Sequence, residues 1–265
     1  MPFPRAWRGL TSLCFAIVLA AGCAHAPAAS GDAIRWSNAQ QLVLVTVSGW
    51  DDTQGTLRRY ARDTDGGWQP VGDAQPIVIG RTGAAWGLGL HGLPADPDAP
   101  VKREGDGRSP AGVFAIGEAF GYAAEADTGL RYAPMDAGDW CVDVPASPLY
   151  NRIVDTAEVG VDAVAGSSEP MRRDLHADGD QRYRLGFVIE HNAQARPQAG
   201  SCIFAHLWKG PDSTTAGCTA MAPATMQALL HWLDADRHPV FVLLPQAEHR
   251  RLWQAWRLPA PEAAR

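Results

Sequence analysis

Short strand-forming runs punctuated by Gly and Pro, with helical periodicity held back until near the C-terminus, constrain this chain more than any other feature. Gln41-Leu-Val-Leu-Val-Thr-Val-Ser48 is rich in β-branched residues and reads as a strand. Leu57 to Arg62 and Trp68 to Val71 flank Asp65-Gly-Gly67, a hairpin turn. Pro76 to Ile79, Gly112 to Ile116, Arg184 to Glu190 and Ser201 to Ala205 continue the pattern, and a glycine-laden loop runs from Gly80 to Gly92. Helical spacing of apolar residues begins only at Ala222 and runs to Asp234, with Pro223 near its start. Pro239 to Leu244 reads as a buried strand, and Ala247 to Leu258 as a short amphipathic helix. The expectation is a mainly-β sandwich or barrel-like domain with a few short helices.

The N-terminus carries an address. Arg5 and Arg8 precede an apolar run, Leu10 to Ala21, that is too short to span a bilayer comfortably and reads as a secretory signal. It ends Leu19-Ala-Ala-Gly-Cys23, which resembles a bacterial lipobox, cut so that Cys23 receives the lipid. Acyl chains there would anchor the protein to a membrane, and Ala24 after the cysteine fits an outer-membrane address. Soluble secretion is the alternative. The expected organisation is a lipoprotein-type signal peptide over 1–22, an Ala/Pro/Ser-rich tether over 23–38, a folded domain over 39–246 and a helical tail over 247–265. Net charge is −6 and turns more acidic once Arg5 and Arg8 leave. With no basic stripe, a nucleic-acid partner is not expected. The 46% apolar content and ten tryptophans indicate a packed body.

With Cys23 lipidated, Cys141, Cys202 and Cys218 remain. In an oxidising envelope an odd set suggests one bridge and one free thiol. Cys218 follows a glycine, Gly217, and lies twelve positions after His206, which ends the apolar run Cys202-Ile-Phe-Ala. A loop of that length can fold a thiol against an imidazole, and a neighbouring histidine activates a cysteine as a nucleophile. That favours Cys141–Cys202 as the bridge; Cys202–Cys218 is the competing pair and would silence the thiol. A buried structural cysteine beside a core histidine is the bland reading of the same residues. His176, His191, His206 and Cys218 lack the tight spacings that mark a zinc site, so a metallopeptidase is a minor alternative. Asp174-Leu-His-Ala-Asp-Gly-Asp180 reads as a solvated turn.

Three segments in order, Glu104-Gly-Asp-Gly-Arg-Ser-Pro-Ala-Gly-Val-Phe114, the strand-end His206, and Thr215-Ala-Gly-Cys218, resemble the L,D-transpeptidase catalytic domain of the YkuD type. The Trp140–Asn151 loop, His191-Asn192 and Gly200-Ser-Cys-Ile-Phe204 are similar to a branch of that family found in Gram-negative envelopes. The likeness runs from about Val78 to Leu244. It implies a mainly-β catalytic domain over 39–246 that attacks the carbonyl between L- and D-centres of a peptidoglycan tetrapeptide stem. The stem is held as a thioester, D-alanine leaves, and an amine takes the acyl group, giving a 3–3 crosslink or an attachment. It assigns Cys218 as nucleophile and His206 as general base, with Gly217 and Cys218 N–H groups offered as an oxyanion hole. Thr215 would bond the turn or the histidine. The partners implied are stem peptides and, through the lipid, a membrane; no metal or organic cofactor is implied.

Two positions depart from the common family pattern. Ala216 stands where a second histidine is usual, which shifts that duty to His206 or His191. Ala220 stands where many members carry an arginine for a stem carboxylate, a charge that Arg81 or Arg108 could supply. Two alternatives therefore accompany the transpeptidase: an L,D-carboxypeptidase or wall hydrolase using the same pair, and a non-catalytic peptidoglycan-binding lipoprotein.

Overall fold

The computed structural model describes residues 1–2, 34–92 and 98–262, so the signal peptide, Cys23 and most of the tether lie outside the described residues. The body is the unit Ile34–Arg265. Its strands are β1 Gln41–Val47, β2 Gln54–Arg62, β3 Trp68–Val78, β4 Ala84–Trp86, β5 Ser109–Gly121, β6 Tyr132–Pro134 and β7 Asp139–Cys141. They continue with β8 Ile153–Asp155, β9 Glu169–Pro170, β10 Leu185–Ile189, β11 Phe204–Leu207, β12 Thr219–Met221 and β13 Val240–Pro245.

Eight of these close on themselves in the order β1-β2-β3-β12-β11-β10-β5-β13, and β13 returns to β1 in parallel. The domain is thus barrel-like rather than a sandwich. Closure leaves no open edge on these eight strands. β4 and β6 attach to β5 from outside the ring. The main apolar cluster draws Val43, Val45, Phe114, Phe187, Ala205 and Phe241 from the ring, together with Met226, Leu229 and Leu230 of the helix Pro223–Trp232. Pro223 opens that helix, where a missing N–H costs nothing.

A small second sheet, in the order β8-β7-β9, forms a cap against one side of the ring. Between cap and ring lies a separate cluster of Phe120, Met135, Cys141, Met171, Tyr183, Cys202, Phe204 and Cys218. Strand alternation sorts β11 between the two cores: Ala205 and Leu207 join the main cluster, whereas Phe204 and His206 meet the cap-side residues.

Several expected boundaries move. Pro76 to Val78 is no separate strand but the end of the eleven-residue β3, which pairs β2 on both sides of an irregularity at Leu57/Arg59. The loop from Gly80 to Gly92 contains β4. Trp36 is buried and packs edge-on to Trp256, so the body starts at Ile34, inside the expected tether. Trp256 also meets Trp86, and Leu258 is buried, so the tail packs onto the same core instead of standing apart. Its helix covers Gln246–Leu252 only.

Candidate active site

The turn carrying Cys218 is fixed from three directions. The Thr215 hydroxyl donates to the Cys218 carbonyl at 2.6 Å and accepts the Gly217 N–H at 3.1 Å. The Ser109 hydroxyl, at the start of β5, donates to the same carbonyl at 3.0 Å and accepts the Gly80 N–H. Thr215 N–H donates to the Ile79 carbonyl, and Arg81 N–H to that of Thr215. Gly217 has φ of +154°, and a Cβ there would stand 3.0 Å from the Arg108 carbonyl oxygen, so only glycine suits the position. This gives the Arg-Ser-Pro segment its physical role: Ser109 braces the Cys218 backbone. Nothing in the spacing of the sequence pointed to Ser109, because its partner lies 109 residues away.

β11 and β12 run parallel, with Ala205 opposite Thr219 and His206 opposite Ala220. That register sets Cys218 beside Phe204, whose N–H donates to Sγ at 3.3 Å. The thiol in turn reaches the Cys202 carbonyl at 3.5 Å. His206 is buried, with Nδ1 at 2.8 Å from the Leu207 carbonyl, so Nδ1 carries the proton and Nε2 is left as the basic nitrogen. Among the described residues no hydrogen bond joins Cys218 to His206; the register sets His206 opposite Ala220, two residues on from Cys218. Burial pushes the Cys218 thiol up to about 12, helped by the charge of Glu169, against the opposing pull of the Phe204 N–H. Burial also brings His206 down to about 4, against its bond to Leu207 and with Arg182 and Arg173 adding to the fall. At rest the thiol and the imidazole are therefore both neutral.

Cys218 opens onto a cavity of about 150 Å³, lined among others by Arg81, Glu104, Asp143, Glu169, Ala216 and Gly217. Ala216 is exposed on its rim. Ala220 is buried opposite His206, a place with no room for an arginine. Arg81 is the exposed cation of the cavity, holding only the Gly105 carbonyl at 3.5 Å through its side chain.

Arg108 is turned elsewhere. Its guanidinium bonds the Trp50 and Ala84 carbonyls and pairs with Asp51 at 2.7 Å, which ties β4 to its surroundings. His191 is also not brought to the thiol. It is buried, with Nδ1 accepting the Leu88 N–H at 3.2 Å and Nε2 at 2.9 Å from the Ala199 carbonyl, and both nitrogens serve the backbone. His191 borders a different, larger cavity of about 340 Å³, lined also by Arg131, Arg152 and Glu190, which contains neither Cys218 nor His206. The thiol lines the smaller cavity, not this one.

Cys141 and Cys202 form a disulfide, which ties β7 of the cap to the residue whose carbonyl contacts the thiol; Cys218 is free. Cys202 has φ of +54°, and its N–H is taken by the Asn151 side chain. Asn151 also donates to the His191 and Asn192 carbonyls, so the Trp140–Asn151 loop is stitched to the approach to β11. His176, His191, His206 and Cys218 do not converge as a zinc set. Among the described residues, the grouping of metal-capable side chains within 4.8 Å is Asp136, Asp139 and Asp155, three carboxylates.

Tyr183, Glu169 and Arg173 went unread in the sequence, yet they stand directly behind the pair. The Tyr183 ring lies 5.1 Å from that of His206, and its hydroxyl donates to Glu169 Oε2 at 2.7 Å. Comparison of the chain with protein-family models, with curated proteins and with solved structures gave no match.

Proposed function

We propose that the protein is a peptidoglycan L,D-transpeptidase of the bacterial cell envelope, with Cys218 as nucleophile and His206 as base. The observation that carries the reading is the immobilised Thr215–Cys218 turn, which presents a free thiol to a polar cavity on the strand next to the one that carries His206. His206 Nε2 accepts the thiol proton as sulfur attacks the stem carbonyl. It then returns the proton to the departing D-alanine nitrogen as the C–N bond breaks, leaving a thioester. The acceptor amine loses a proton to the same nitrogen on attack, and Cys218 leaves as the thiol.

The resemblance offered Gly217 N–H for the oxyanion, but that group is spent inside the turn, so the Cys218 N–H is the candidate donor. Arg81, not Arg108, is the cation available to a stem carboxylate. A cavity of about 150 Å³ is smaller than the roughly 300–1,000 Å³ of ligand pockets in general, so it takes the reacting end of a peptide while the rest lies across the cap edge. A fully buried, neutral pair needs substrate to exclude water and complete the proton path before the thiolate forms. The proposed address is the periplasm, with lipidated Cys23 holding the domain to the outer membrane; its partners are stem peptides and that membrane, not nucleic acid.

The test is mass spectrometry of disaccharide-tetrapeptide stems incubated with the purified full chain and, in parallel, with Cys218→Ala. Dimers lacking one D-alanine, formed only by the cysteine form, are the expected result. Tripeptides without dimers would make the protein a hydrolase, and unchanged stems in both would leave wall binding as its role.

A further inference from the structure

We infer that Tyr183 is a positioning residue for the Cys218–His206 pair, and that Glu169 and Arg173 of the cap hold it there, so that the seating of the cap governs how reactive the thiol is. The inference rests on Cys218 being the reacting thiol.

Tyr183 is buried just ahead of β10, edge-on to His206 at 5.1 Å, to Phe204 at 5.5 Å and to Phe120 at 5.8 Å. It therefore walls the imidazole on the side facing the cap. Its hydroxyl is committed to Glu169 on β9. Arg173 closes the unit: Nη1 lies 3.3 Å from the same carboxylate oxygen, Nε holds Asp180 at 3.2 Å, and the guanidinium stands 5.3 Å from the Tyr183 ring centroid. An apolar trio would fasten the cap as well or better, since burying a carboxylate and a guanidinium is costly even when they pair. What the polar trio supplies is a negative charge in the cavity that the thiol lines, with a hydroxyl and a guanidinium bonded to it.

The groups around the thiol act in opposite senses. Burial disfavours the thiolate most, and Glu169 disfavours it further; the Phe204 N–H and Lys102 favour it, and the Tyr183 hydroxyl tempers the Glu169 charge by donating to it. Arg182, Arg173 and Asp180 act on His206 from the other side. A merely structural trio would behave differently: loosening any member would open the seam and expose sulfur.

The experiment follows iodoacetamide alkylation of the full chain at pH 8, with the Cys218 peptide quantified by mass spectrometry, and repeats it from pH 6 to 9. Glu169→Gln, which keeps a carbonyl for Tyr183 but removes the charge, should raise the rate about threefold to tenfold, because thiolate fraction moves tenfold per pKa unit. Tyr183→Phe, which keeps the ring, should lower it by at least about twofold on the same scale. Should Tyr183→Phe not fold, Arg173→Gln replaces it and should also slow alkylation, having left the Glu169 charge uncompensated. Changes of the same sign in the two variants, or no change in either, would overturn the inference. No substrate enters this assay, so failure of the transpeptidase test would leave these rates untouched, and same-sign rates would leave turnover standing.

Discussion

The ring interior and the seam beneath the cap are both buried, yet they are built for different ends. The ring cluster is almost wholly apolar, filled by Val43, Val45, Phe114, Phe187 and Phe241, and needs nothing but volume and alternation to pack. The seam combines aromatic rings with a disulfide, a thiol, an imidazole, and a carboxyl paired with a guanidinium. The first supplies apolar packing, and the second gathers the titratable groups and the thiol. The lesson is that the barrel wall serves both at once, because each strand has two faces: β11 gives Ala205 and Leu207 to the interior, Phe204 and His206 to the site.

That division can be broken from either side. Phe241→Ala, in the ring, should cost about 3–5 kcal/mol in urea unfolding, while the alkylation rate of Cys218 in the folded protein stays close to that of the parent. A large rate change would mean the two regions are not separable. Removing the link across the seam, with Cys141→Ser and Cys202→Ser together, should cost about 2–4 kcal/mol. It should also change Cys218 reactivity, since the Cys202 carbonyl would no longer be held against sulfur; hydrogen exchange of β1 and β13 should remain slow. Free labelling of Cys141 and Cys202 in the untreated protein would remove the bridge altogether.

Two of the buried histidines, His191 and His206, sharpen the contrast. His191→Ala strands the Leu88 N–H and the Ala199 carbonyl and should cost about 1–3 kcal/mol, with thioester formation little affected. His206→Ala should strongly reduce thioester formation at a smaller cost in stability. Equal losses of acylation would show that His191 also serves the thiol. The pH profile of stability tests the buried histidines together. His91, His191 and His206 each titrate near 4, against an ordinary 6.5, chiefly through burial. The unfolded chain thus binds protons that the folded one refuses. Stability should be full above pH 6.5 and fall as pH drops toward 4, read as a lower Tm at pH 4.5 than at pH 7.5. A flat profile would mean these side chains are not buried as neutral imidazoles.

The sequence alone determined the mainly-β class, the hairpin at Asp65–Gly67 and the helix opened by Pro223, because alternation, turn residues and helix-start chemistry are local signals. The tertiary structure alone decided what lies far apart in the chain. Closure of the ring depends on β13 pairing with β1, a contact between the two ends of the body. The same holds for Ser109 beneath Cys218, for Tyr183 and Glu169 behind His206, and for which arginine faces the thiol. Arg81 and Arg108 are equivalent as letters; Asp51 and two carbonyls occupy one of them and leave the other at the cavity. A hydrogen-bond partner a hundred residues away leaves no periodicity to read, so only folding can reveal which polar groups are already satisfied and which remain available for chemistry.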